Sequence, residues 1–330
     1  MNQGPQWEPA EPSESHPPAG TGPMSLGQVF EVGRRILFRH WAVMLLVSLL
    51  FVGPGALLSS ATALTFTDEA LSLFPDLDSG TIDPDLRLTN AELERLLDAL
   101  IPFLGASLLA GVLGSIGALA FSAAVAEDYH ARPAEVARVV RAAVERTPSA
   151  LVFMLLTGLL MVGLIVVGLL GMSLATLALP GNAAGGPGTF VALIVAVGLA
   201  VAIVYLTMRW APAYTAMVEE GAGWRQALSR AWHLSGDNVL RIFAVSATVA
   251  IVTGLLSSLM GAFFDMGLSA LGVSLGLDPL VTSTIALATA AVIVAPVMPV
   301  LTAVLFFDLR ARRDVPATRE VPPPPPGPYG

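Results

Sequence analysis

The 330-residue chain has no cysteine and no lysine. Without cysteine there can be no disulfide, no thiolate metal site and no cysteine nucleophile. Without lysine, every permanently charged base is an arginine. Charge of both signs is scarce: 13% of residues are charged and 55% are hydrophobic, which is about half the charge of an ordinary soluble domain. Histidine is rare, and His16, His40, His130 and His233 are not spaced for zinc. There is no Walker A loop, no dinucleotide fingerprint and no nucleophile elbow. Paired carboxylates and a nucleophile–base set are missing too. These gaps point away from an enzyme, and neither a cofactor nor a metal centre is expected.

What the chain has instead is length without charge. Residues 147–208 form a run of 62 positions free of Asp, Glu, Lys and Arg, and further such runs cover 40–67, 99–126, 242–264 and 279–307. A helix needs roughly 20 apolar residues to cross a bilayer. The longest run must therefore hold two spans, split between Pro180 and Gly188 where turn residues cluster. The pattern predicts an all-α integral membrane protein with six spans, near 41–63, 99–126, 149–179, 189–217, 243–273 and 280–307. Residues 1–24 are polar, contain six prolines and carry no apolar stretch typical of a signal peptide. Residues 1–24 and 311–330, the latter with the run Pro322 to Pro326, read as disordered proline-rich tails.

The arginines are sorted by side. Fifteen of the seventeen lie in every second charged stretch: before span 1, between spans 2 and 3, between spans 4 and 5 (with Arg209 just inside span 4), and after span 6. Only Arg87 and Arg95 fall on the other side, among nine acidic residues. Arginine-rich loops stay in the cytoplasm, so both termini are expected there, in a bacterial inner membrane.

Each arginine-rich segment follows one grammar. Apolar residues recur at helical spacing in Leu26, Val29, Phe30, Gly33, Ile36 and Leu37, then in Val136, Val139, Val140 and Val144, and again in Trp224, Ala227, Leu228, Ala231 and Trp232. Each predicts an amphipathic helix feeding a pair of spans. The joints also match: Val125-Ala126-Glu127-Asp128 ends span 2, Met217-Val218-Glu219-Glu220 ends span 4, and Phe307-Asp308-Leu309-Arg310 ends span 6. This suggests three parallel repeats, near 25–128, 133–220 and 223–310. Arg34, Arg35, Arg39, Arg138, Arg141, Arg225, Arg230 and Arg241 would form a basic collar against anionic lipids of the inner leaflet. The plainer reading is that these helices are connectors lying where hydrophobicity puts them.

Span 2 carries a small residue at every fourth position: Ala106, Ala110, Gly114, Ala118 and Ser122. Lipid gives helices no hydrophobic reason to associate, so such a ridge marks either the bundle centre or a contact with another chain. Pro54, Pro212, Pro296 and Pro299 lie inside spans and predict kinks.

Two ionisable groups fall at membrane depth. Arg209 lies roughly 15 Å along its helix from Glu219. With Trp210 and Tyr214 beside it, Arg209 either holds an anionic headgroup or substrate, or snorkels to the inner interface. Asp265 reads as an interfacial or loop-capping residue of the opposite leaflet. In the outer loop 64–98, Asp76-Leu77-Asp78-Ser79-Gly80-Thr81-Ile82-Asp83 resembles a calcium loop, but Arg87 occupies the place of the required glutamate, leaving an acidic surface. Thr89-Asn90-Ala91-Glu92 is a capping box that should start a helix running into span 2.

Met208-Arg209-Trp210-Ala211-Pro212-Ala213, then Val218-Glu219, Ala227-Leu228-Ser229-Arg230-Ala231-Trp232 through Gly236 to Arg241, and Phe306-Phe307-Asp308-Leu309-Arg310 together carry a resemblance. The chain resembles, over about 25–310, the membrane-domain family named after glycerophosphodiester phosphodiesterases. That resemblance implies a membrane module which sometimes accompanies a phosphodiesterase and often stands alone. The catalytic domain itself has no counterpart here, since neither tail is long or apolar enough to fold into one, so no hydrolase activity transfers. The expected function is a non-enzymatic, multi-pass module organising lipids or partner proteins at the cytoplasmic leaflet. The alternative is a transporter or lipid-translocating protein with Arg209 on an anionic substrate. Expected partners are the phospholipid bilayer, anionic inner-leaflet lipids, and a membrane-protein partner or second copy of the chain. Nucleic acid is not expected, because the arginines line membrane edges.

Overall fold

The computed structural model describes residues 23–73, 89–178, 187–236 and 238–314. The calcium-like stretch 76–83, Arg87, residues 180–186 and most of both tails lie outside them. Every regular element among the described residues is helical: α1 (Leu26–Arg39), α2 (Trp41–Val47), a π-turn (Ser48–Val52), α3 (Gly53–Leu73), α4 (Asn90–Tyr129), α5 (Val136–Ala178), α6 (Pro187–Trp210), α7 (Ala213–Glu219), α8 (Trp224–Ser235), α9 (Val239–Leu275), α10 (Pro279–Val294) and α11 (Val297–Asp314). Among the described residues, six stretches are long and apolar enough to cross a membrane: Trp41–Ser72, Asn90–Tyr129, Val136–Leu174, Pro187–Glu219, Val239–Gly272 and Pro279–Arg313. The protein is a multi-pass, all-α membrane protein.

Local chemistry sets several element boundaries. The Thr89 hydroxyl accepts from the Glu92 amide at 3.3 Å, and the Glu92 carboxylate accepts from the Thr89 amide at 2.7 Å. This is the expected capping box, and α4 begins at Asn90. A second box, Ser25 with Gln28, opens α1; the same spacing rule applies to it, but the sequence reading did not use it. Pro212 and Pro296 break their spans, separating α6 from α7 and α10 from α11. Pro54 acts more gently: lacking an N–H, it shifts the ladder, and the Gly53 amide donates to the Ser48 carbonyl across a π-turn. Pro102 and Pro148 lie within α4 and α5 without ending them.

Two expectations about the elements change. The second amphipathic segment is not a separate helix, because α5 runs unbroken for 43 residues from Val136 to Ala178. The apolar stripes of these segments also face protein. Val29, Gly33 and Ile36 of α1 are buried, with Gly33 against the Leu301 side chain of α11. Val139 and Ala143 of α5, and Ala227, Ala231 and Leu234 of α8, join the same core. Both chain ends also hold more order than the tail boundaries imply: Met24 is buried in the core and α11 reaches Asp314.

The spans differ in how much of them other helices cover. The apolar windows of α4 and of α10–α11 are 50% and 56% buried, whereas those of α5 and of α6–α7 are 11% and 6% buried. Span 2 therefore lies centrally, as its small-residue ridge suggests, and span 6 shares that place. The second hairpin, α5 with α6, is peripheral. Packing is also uneven along the bundle axis. The core cluster gathers Met44 and Val47, Leu119–Ala126, Ala213–Met217 and Val300–Leu309, all toward the arginine-rich end. Toward the other end, large apolar side chains such as Leu159, Val167, Leu193, Leu259 and Phe263 stay exposed for lipid. Lipid solvates such side chains as well as protein does, so tight packing is confined to places where small residues or polar links draw helices together.

The small-residue contacts yield a direct test. A methyl group on Gly55 would sit 2.9 Å from the Ala110 Cα, whereas one on Gly158 would meet nothing within 4 Å. Gly55→Ala should lower stability by about 1–3 kcal/mol through the forced separation of α3 and α4. Gly158→Ala should leave it unchanged or raise it by up to about 1 kcal/mol through helix propensity. Thermal unfolding in detergent micelles reads both, and equal effects at the two sites would refute the close approach.

Candidate functional site

Two features stand out: a belt of charged links at the arginine-rich end, and an uncharged cavity just beneath it. The belt is built on the carboxylates that close spans 2, 4 and 6. Asp128 lies 2.9 Å from His40 Nε2 and 3.2 Å from an Arg39 guanidinium nitrogen. Glu219 meets His130 at 3.1 Å and Arg310 at 3.2 Å. Neighbouring Glu127 and Glu220 bind Arg138 at 3.2 Å and Arg230 at 2.9 Å.

Asp308 is the most enclosed of them, with a side chain 0% exposed. Its carboxylate accepts from Arg241 Nε at 2.8 Å, from Arg312 Nε at 3.2 Å and from the Met24 amide at 2.7 Å. The Met24 carbonyl in turn accepts from both guanidinium groups. This knot joins Met24, two residues before α1, to the start and end of the last hairpin. The sequence pattern shows Asp308 as part of the joint ending span 6 and not what it binds. The signal was available: it is a lone acid between an apolar span and an arginine cluster.

The belt changes the picture of the basic collar. Arg39, Arg138, Arg230 and Arg241 are engaged with those carboxylates, and Arg34 pairs with Glu31 at 2.7 Å within α1. The hydrogen bond from Arg34 holds the Glu31 carboxyl below its ordinary range. Arg225 lies over the ring of Trp224, 4.9 Å from its centroid. Arg35 and Arg141 are exposed, without an ion-pair partner among the described residues. Five of the eight collar residues are thus paired within the protein, four of them with acidic joints and Arg34 with Glu31 of its own helix.

The cavity has a volume of about 440 Å³ and lies between α4, α5, the α6–α7 kink and α11. Its walls include Ala118, Ser122, Phe153, Met154, Thr157, Gly158, Met161, Trp210, Tyr214, Thr215, Met298 and Thr302, with no charged residue among them. Trp210 and Tyr214, singled out with Arg209, are here; Arg209 is not. Its guanidinium lies 4.3 Å from the Trp232 ring centroid and 5.2 Å from that of Tyr205, and donates to the Trp232 carbonyl at 3.2 Å. It thus pins the end of α6 to the end of α8, with Trp232 filling the part expected of Trp210. Its Nε is buried without a partner. Asp265 accepts from the Ser283 hydroxyl at 2.8 Å, linking α9 to α10 far from Arg209 in the chain.

Tyr214 donates to Ser115, whose own hydroxyl donates to the Gly111 carbonyl, and Phe153 meets Tyr214 edge-on at 5.3 Å. Ser122 and Thr215 face each other at 3.3 Å. The ridge on α4 therefore serves different neighbours at different heights. Ala106 is buried and its carbonyl accepts from Ser59 of α3, Ala110 touches Gly55, Gly114 is half-buried, Ala118 lines the cavity, and Ser122 meets α7. No group of three or more metal-ligating side chains occurs among the described residues. Comparison with known protein families, curated proteins and solved structures finds no match.

Removing the charge of Asp308 should be far costlier than removing that of Arg209. Asp308→Asn leaves Arg241 and Arg312 facing a neutral amide and should cost about 3–5 kcal/mol. Arg209→Ala removes stacking on two rings and should cost about 1–2 kcal/mol. Unfolding midpoints in one detergent measure both, and the reverse order would contradict the assignment of Asp308 as the main tie.

Proposed function

We propose that the protein is a non-enzymatic module of a bacterial inner membrane, with both termini in the cytoplasm, that organises lipids or partner proteins at the cytoplasmic leaflet. The observation that carries this reading is that the continuous buried apolar cluster and the charged belt share one end of the bundle. A platform tied together by charged links at one interface suits holding things at that interface. Arginine bias assigns that end to the cytoplasm. The resemblance to the membrane-domain family named after glycerophosphodiester phosphodiesterases points the same way, toward a stand-alone module that works beside lipid or envelope enzymes.

We read the architecture as three copies of one unit. In each, a base at the start of the odd-numbered span reaches the joint that ends the even-numbered one: Arg39 and His40 to Asp128, Arg146 to the Gly221 carbonyl at 2.9 Å, and Arg241 to Asp308. The alternative, translocation of an anionic substrate over Arg209, is less well supported, since Arg209 is committed to α8 and lies outside the cavity.

Mass spectrometry of the protein extracted in native lipid discs should find a stoichiometric protein partner or an enriched anionic lipid, unchanged by Arg209→Ala. Anion or lipid flux in vesicles that disappears in Arg209→Ala would overturn the module in favour of a translocator. The absence of native cysteine makes topology simple to check. Glu94→Cys should react with an impermeant maleimide from outside the cell, and Ser229→Cys only after permeabilisation.

A further inference from the structure

We infer that the cavity holds the upper part of one acyl chain of an ester-linked phospholipid, taken from the leaflet on the arginine-rich side. The inference rests on the membrane-module reading and adds the ligand and its site. Depth is the first argument. Thr215 lies four residues before Glu219, and Ser122 and Thr302 six before Asp128 and Asp308, which places them roughly 6–9 Å below the charged belt. Met298 and Met161 lie ten residues before Asp308 and fifteen after Arg146, or roughly 15–22 Å below it. The headgroup layer is about 5–7 Å thick, and one leaflet's hydrocarbon adds about 15 Å. The cavity thus runs from the depth of the glycerol esters to the end of the acyl chains.

Chemistry changes along the cavity in the same direction. Its deep wall is Met154, Gly158, Met161 and Met298, flexible or small groups that fit a chain without directing it. The deeper hydroxyl of Thr157 is committed to carbonyls of its own helix. Near the belt, Ser122 and Thr215 are 2% and 1% exposed and share a single hydrogen bond between two hydroxyls. One O–H of that pair is left to donate, and both residues line the cavity at the depth of the ester carbonyls. No charged side chain lines the space, so a phosphate would be expensive inside it and must stay at the belt. The volume of about 440 Å³ falls in the ordinary range for ligand cavities, about 300–1,000 Å³. Ala211, beside the break at Pro212, and Met298 and Pro299, just past the break at Pro296, stand in its wall, so the space lies where both spans are parted.

The test uses the full-length protein in vesicles of phosphatidylethanolamine and phosphatidylglycerol containing a phosphatidylglycerol with a photoreactive diazirine partway along one acyl chain. Labelled peptides are mapped by mass spectrometry. The inference predicts labelling concentrated on Met154, Met161 and Met298 over the lipid-facing Leu159 and Val167. Gly158→Phe, at a wall position where an added Cβ meets nothing within 4 Å, should abolish that preference while the protein stays folded. The pair Ser122→Ala with Thr215→Val should weaken it about fivefold, the factor one neutral hydrogen bond supplies. Labelling spread evenly over the outer faces, or unchanged in Gly158→Phe, would overturn the inference. So would preferential labelling by a prenyl phosphate bearing the same diazirine, which lacks the ester. In either case the enrichment measured in native discs still decides the module reading, so the two failures are distinguishable.

Discussion

The carboxylate of Asp308 is the tie on which the bundle's closure depends. A helix hairpin in lipid gains nothing from hydrophobicity by joining another, so the three hairpins need other reasons to stay together. Asp308 supplies one: it lies fully buried, binds two guanidinium groups and accepts the amide of Met24. A charge so enclosed is tolerable only when completely paired. The Met24 carbonyl completes the pairing from the other side by accepting from the same two arginines. The segment entering α1 is thereby fastened to α9 and α11, and α1 is held with its apolar stripe against α11.

The rest of the packing follows from this closure. Asp128 and Glu219 repeat the theme at lower burial, each joining neighbouring helices through a histidine and an arginine. With the ends cinched, small residues of α4 can approach α3 and α7 closely, and aromatic contacts such as the 4.0 Å stack of Tyr129 on Phe307 fill the space between α4 and α11. Away from the belt, helices are joined by small-residue contacts such as Gly55 on Ala110 and by single polar links such as Ser283 to Asp265. The α5–α6 hairpin is little covered by other helices, and a cavity lies between α5 and α11 near the breaks at Pro212 and Pro296.

Arg209 illustrates how far a sequence can point to a residue without revealing its task. An arginine ten residues inside a span is conspicuous, and its neighbours Trp210 and Tyr214 do line a site. Its own side chain turns the opposite way, to the rings of Tyr205 and Trp232 and a carbonyl at the end of α8. Successive residues on a helix point about 100° apart, so adjacency in sequence is not adjacency in space.

What the sequence by itself determined is the set of properties that depend on runs and periods: six apolar spans, the breaks at Pro212 and Pro296, the cap at Thr89, the all-helical class and the segregation of arginine. Each follows from a local rule, the length needed to cross hydrocarbon, the missing N–H of proline, or the pairing of side chains three residues apart. The tertiary structure alone decided that span 6 shares the centre with span 2, that four arginines of the collar answer to acidic joints within the protein, and that an uncharged cavity forms beside Trp210 and Tyr214. Those outcomes depend on contacts between residues as distant in sequence as Met24 and Asp308. In a membrane, where apolar surface carries no information about partners, such long-range polar links and small-residue contacts decide the arrangement, and no local pattern encodes which of them will meet.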